Sequence, residues 1–254
     1  MKVPVASALT AAVAFALIGC AEQKESKNMA VTDASSSAHT APVRKGHVAV
    51  NGVSYYYEVH GQGEPLLLLH GGLGSIDLFC PDLPAFAKTR QVIGVDLHGH
   101  GRKALGVRKI NYLDQGDDMA GLLRDLGYGQ VDVLGYSMGG GIALRLAVQH
   151  PEKVRRLVLV STGFAQDGFH PEMLPMQAAV SAAMAPAMKD TPMYKSYVAI
   201  APNPSEFPTL LDRMGEWMRT PYDWREDVKK LSMPVMLVLL SLSSKGVRGN
   251  NKIS

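Results

Sequence analysis

The sequence predicts an α/β fold, a mainly parallel sheet with helices on both faces. Three observations carry this. Short apolar runs alternate with helical patterns from Pro65 to Val160. The first of these runs, Pro65 to His70, is apolar almost throughout, as a strand buried on both faces requires. Glycine-rich turns follow three of the strands, at Gly71 to Ser75, at His98 to Gly101 and at Gly135 to Gly139. Strands that alternate with helices pair in parallel through helical crossovers.

The elements follow in order. Residues 1–19 read as a signal peptide: Lys2 gives a positive start, and Val3 to Ile18 is apolar, alanine-rich and too short for a confident membrane span. Leu17-Ile-Gly-Cys20 has the form of a lipobox, which predicts lipidation of Cys20 and attachment to a bacterial cell envelope. Ala21 after the cysteine favours the outer membrane, periplasmic face, in a cell that has one. An ordinary secretory signal is the alternative. Residues 20–46 are polar, serine- and alanine-rich and without periodicity, which predicts a flexible tether. The core is expected over 47–163 and 220–241. It opens with a hairpin, His47 to Val59, turning at Asn51-Gly52, the type I′ signal. Helices are expected over Ile76 to Ala87, Tyr112 to Leu126 and Gly140 to His150, and strands over Val92 to Leu97, Val131 to Leu134 and Val154 to Val160. Residues 164–219 are rich in methionine, alanine and proline and predict a helical cap whose soft side chains pack on the core or line an apolar pocket. A helix over Pro221 to Leu231 and a strand over Pro234 to Leu240 follow. Residues 242–254 read as an irregular, basic tail.

Composition limits the classes of function. The chain is 46% apolar and 19% charged, ordinary for a globular enzyme. Its net charge of +3 is dispersed, so no basic block points to nucleic acid. No Gly-x-Gly-x-x-Gly or P-loop follows a strand, which argues against nucleotide binding. Besides Cys20 the chain holds only Cys80, which cannot form an internal disulfide and is expected to be a small buried apolar residue.

Gly135-Tyr-Ser-Met-Gly139 carries the chemistry. It joins an apolar strand to a helix through a sharp turn, the setting of a nucleophile elbow with Ser137 exposed at its tip. With His70-Gly-Gly72, Asp96-Leu-His-Gly-His-Gly101 and His150-Pro-Glu-Lys-Val154 in this order, the chain resembles the α/β-hydrolase superfamily, of the serine esterase and lipase type, from about His47 to Leu240. The resemblance implies Ser137 as nucleophile and the backbone N–H groups of Gly72 and Met138 as the oxyanion hole. It also implies a small, apolar, ester-type substrate, with no cofactor and no metal. Serine at 137 argues against chemistries that need a carboxylate nucleophile.

The triad acid and base are not assigned. The family places an acid after the strand matched by Pro234 to Leu240 and a histidine one strand later, but no Asp or Glu follows Asp227 and no His follows His170. The expectation is a C-terminally truncated copy that lacks the last strand and helix and is impaired: losing the histidine costs a serine protease on the order of a millionfold. His70 is expected beneath the oxyanion turn, His98 and His100 in the turn after their strand, His150 at a helix end and His170 on a solvated loop. Asp96 is expected to tie its own turn. The alternative function is a non-catalytic surface lipoprotein that keeps the pocket for binding.

Overall fold

A computed structural model of the chain describes residues 41–239. The lipobox with Cys20, the signal peptide, most of the tether and the tail at 242–254 lie outside the described residues.

Seven strands form one sheet: β1 (Arg44–Val50), β2 (Val53–His60), β3 (Glu64–Leu69), β4 (Arg90–Val95), β5 (Val131–Tyr136), β6 (Val154–Val160) and β7 (Val235–Val238). Their order is β1-β2-β4-β3-β5-β6-β7. β2 runs antiparallel to β1 and β4, and all pairs from β4 to β7 are parallel. The order reverses between β3 and β5, the point at which open α/β sheets bind ligands. The β1–β2 turn has Asn51 and Gly52 at φ 49° and 78°, the two positive values that a type I′ hairpin needs. Pairing begins earlier than the sequence indicates, at Arg44 opposite Val59, within the stretch 20–46 expected as tether.

The central strands bury both faces. Leu67 and Leu69 of β3 enter one apolar cluster with Ile93, Val133 and Leu146, while Leu66 and Leu68 enter another with Phe79 and Leu83. On the first face lie α2 (Tyr112–Asp125) and α3 (Met138–Gln149). Asn111 caps α2 by accepting from the Asp114 N–H at 2.8 Å. On the second face the expected helix over 76–87 is broken: a 3₁₀ turn, Ile76–Phe79, and α1 (Leu83–Ala87) flank a turn at 80–82. Pro81 lacks the N–H that a continuous helix would use. Cys80 is half-buried rather than buried.

Between β6 and β7 the longer elements are all helical: α4 (Met173–Ala178), α5 (Ala185–Met188), α6 (Pro192–Ile200) and α7 (Phe207–Arg219). α7 places Phe207, Leu210, Leu211 and Met214 inward at helical spacing. The expected helix at 221–231 shrinks to α8 (Arg225–Val228). Ahead of it the chain is extended, because Gln166 N–H donates to the Tyr222 carbonyl and Trp224 N–H to the Phe164 carbonyl, at 3.0 and 2.8 Å. β7 is shorter than the predicted strand and pairs, among the described residues, only with β6. Its apolar side chains stand open, with Met236 61% and Leu237 52% exposed.

Candidate active site

Ser137 lies at the junction of β5 and α3 with φ 52° and ψ −115°, a conformation costly for any residue with a side chain. Three hydrogen bonds fix it there. Its N–H donates to the Val160 carbonyl of β6 at 2.8 Å, and its carbonyl accepts from the N–H groups of Gly140 and Gly141 at 2.9 and 3.2 Å. The flanking glycines are required by contact. A Cβ on Gly135 would collide with the Gly139 carbonyl, and one on Gly139 with the Leu69 carbonyl of β3. The turn after β3 comes alongside: a Cβ on Gly71 would stand 3.4 Å from Ser137 Cβ. Met138 is the first residue of α3, whose positive end therefore points at this corner. Gly72 is covered by the Met214 methyl of α7, which would stand 2.7 Å from an added Cβ.

The histidines after β3 and β4 are structural. Leu97 N–H donates to His70 Nε2 at 3.0 Å, so that nitrogen carries no proton, and Nδ1 donates to the Gly71 carbonyl at 2.7 Å. Burial pushes the His70 imidazole down to about 4. Its ring thus locks the turn under Gly71 and Gly72 as a neutral tautomer. His98 Nε2 donates to the Arg108 carbonyl and His100 Nδ1 to the His98 carbonyl, at 2.8 and 2.9 Å. Burial lowers these two imidazoles to about 4 and about 3, and His98 Nδ1 and His100 Nε2 are enclosed without partners.

Asp96 reaches further than its own turn. One oxygen accepts from Arg102 N–H at 2.7 Å, and the other from Ile76 N–H at 2.8 Å, at the start of the 3₁₀ turn that follows β3. His150 pairs with Asp117 at 2.8 Å at the other end of α3, and His170 is 73% exposed beside Glu172. None of these histidines lines the cavity at Ser137.

A cavity of about 70 Å³ opens at Ser137 and Met138. Tyr112, Trp217 and Tyr222 form one wall, and Ser161 and Thr162 at the end of β6 another. Ser161 has φ 51°, and its hydroxyl is buried without a partner. The aromatic wall is not legible from the sequence pattern, which predicts helix over Pro221 to Leu231 and so turns Tyr222 and Trp224 to different faces. The available signal was the crowding of Trp217, Tyr222 and Trp224, which hold both tryptophans of the chain.

A family model described as the alpha/beta hydrolase fold matches residues 64–236, more than half of the sequence. The chain belongs to this family. Among its α/β hydrolase relatives is 2-hydroxymuconate semialdehyde hydrolase of Pseudomonas sp. (strain CF600), 40% identical over 106 residues, which are 40% of this chain and 38% of that protein. Another is the Pimeloyl-(acyl-carrier protein) methyl ester esterase of Nitrosomonas europaea, 34% identical over 109 residues, 43% of this chain and 41% of that one. The chain spans less than half the length of these curated relatives. Among solved structures, carboxylesterase CesB from Bacillus subtilis superposes with a TM-score of 0.58 at 21% identity, over 79% of this chain and 75% of that one, a likeness of fold.

Proposed function

We propose that the chain carries the nucleophile and oxyanion hole of a serine hydrolase acting on carboxylic esters. In this reading Ser137 attacks the ester carbonyl to form an acyl-enzyme, and the N–H groups of Met138 and Gly72 receive the developing oxyanion. The observation that carries it is the strained backbone of Ser137, held on a cavity wall between a strand and a helix N-terminus. Strain of this kind persists only where surrounding structure imposes it. The reading extends to membrane attachment through a lipidated Cys20, which would set the domain at a cell-envelope surface.

A second reading, a ligand-binding lipoprotein without turnover, is favoured by one observation. His70 spends both ring nitrogens on backbone groups, and His98 and His100 are buried and neutral. A fluorophosphonate probe separates the two. Labelling of the chain that disappears in Ser137→Ala supports the hydrolase, and no labelling of folded protein supports the binding protein.

A further inference from the structure

We propose that the cavity beside Ser137 is an acyl site for a compact, uncharged acyl group, acetyl to butyryl in size. This deepens the serine-hydrolase reading, on which it rests, by naming the class of ester.

Size comes from a wall that cannot retreat. At about 70 Å³ the cavity is roughly half of the ~150 Å³ apolar cavity that admits benzene. Tyr112 meets Trp217 edge-on at 4.9 Å and Tyr222 at 5.5 Å between ring centres. Its ring fills the place where a Cβ on Gly141 would be, so the wall rests on the first turn of the elbow helix. Trp224 backs it at 4.9 Å from Tyr112, and the Arg145 guanidinium lies 5.2 Å from the Trp224 ring centre. A longer acyl chain would have to displace Trp217 from its edge-on contact with Tyr112.

Charge comes from the lining. Among the described residues it contains no Asp, Glu, Lys, Arg or His; its polar groups are hydroxyls and the amides of Gln166 and Gln177. A carboxylate on the acyl chain would give up its hydration and meet no cation. A neutral ester gives up little, and its oxygens can supply the partner that the enclosed Ser161 hydroxyl lacks.

The two tryptophans of the chain both belong to this wall or its backing, so intrinsic fluorescence reports on the site without catalysis. In Ser137→Ala, methyl butyrate is expected to give a saturable fluorescence change. Monomethyl succinate, of similar length but anionic, should bind at least about tenfold more weakly. Methyl octanoate should bind weakly to Ser137→Ala and gain affinity when Trp217→Ala is added, read through Trp224. Equal binding of monomethyl succinate and methyl butyrate overturns the proposal, as does no saturable response to either in folded protein. If Trp217→Ala does not fold, the comparison of the two esters decides alone. Methyl butyrate binding in a protein whose Ser137 resists fluorophosphonate would sink the hydrolase reading and leave the acyl site standing.

Discussion

Arg145 of α3 donates to the Asp227 carboxylate at 2.6 Å while lying over the Trp224 ring. Its side chain is 7% exposed, and a second bond, to Gln149 at 2.9 Å, leaves it little freedom. The pair joins the elbow helix to the segment that carries Tyr222 and Trp224. Asp227→Asn should therefore destabilise the fold by about 1.5–3 kcal/mol, the range for hydrogen bonds to charged groups. Thermal unfolding followed by near-ultraviolet circular dichroism, which reports the aromatic wall, should show a midpoint lower by several degrees.

Ser137 pays for its position in backbone strain. Ser137→Gly removes the side chain that makes φ 52° costly, and should raise stability by about 1 kcal/mol in urea unfolding. Ser137→Ala keeps a Cβ and should leave stability near the parent. On the serine-hydrolase reading, fluorophosphonate labelling should be present in the parent and vanish in both. Gly139→Ala should do the opposite on stability: its methyl meets the Leu69 carbonyl, and a loss of at least about 3 kcal/mol or failure to fold is expected.

The buried imidazoles set an acid limit. His70, His98 and His100 stay neutral in the fold down to about 4, 4 and 3, against 6.5 in the open chain. A base held below its open-chain value binds fewer protons when folded. Its contribution to stability is complete above pH 6.5 and is lost as pH falls from there towards 4 and 3. Each ring should steepen the loss by roughly 1.4 kcal/mol per pH unit in that window. Urea midpoints measured from pH 7.5 to 4 should fall steeply below 6.5, and His98→Gln should flatten the slope.

Among the described residues β7 pairs on one edge only, and it presents apolar side chains on both faces. Strands of this kind template association. Met236→Lys, at a residue already 61% exposed, should reduce light scattering in concentrated solution while leaving the unfolding midpoint within about 1 °C. A drop of many degrees would mean that the side chain is covered in the working protein.

The sheet and the elbow were legible because local patterns specify them. Leu66 to Leu69 could serve only as a strand buried on both faces, Asn51-Gly52 could turn only one way, and the glycines around Ser137 mark a turn with no room. What was not legible depended on partners far away in sequence. Tyr222 and Trp224 stay outside α8 because Phe164 and Gln166 hold their backbone, and Arg145 meets Asp227 across 82 residues. Asp96 looked like a local turn residue, yet one of its oxygens serves Ile76, twenty positions earlier. The break at Pro81 did carry a local signal, which the apolar spacing of residues 76–87 overrode.

The elbow helix opens on Gly139, Gly140 and Gly141, each touched by a different part of the chain: the Leu69 carbonyl, Thr162 and Tyr112. Three glycines in one turn cost roughly 1 kcal/mol apiece in helical propensity, so this stretch cannot nucleate on its own. Contacts from β3, the end of β6 and the start of α2 must supply the stability that propensity withholds. This turn is accordingly expected to depend on tertiary packing more than the rest of its helix, and hydrogen exchange at Gly140 and Gly141 should outpace that in the later turns.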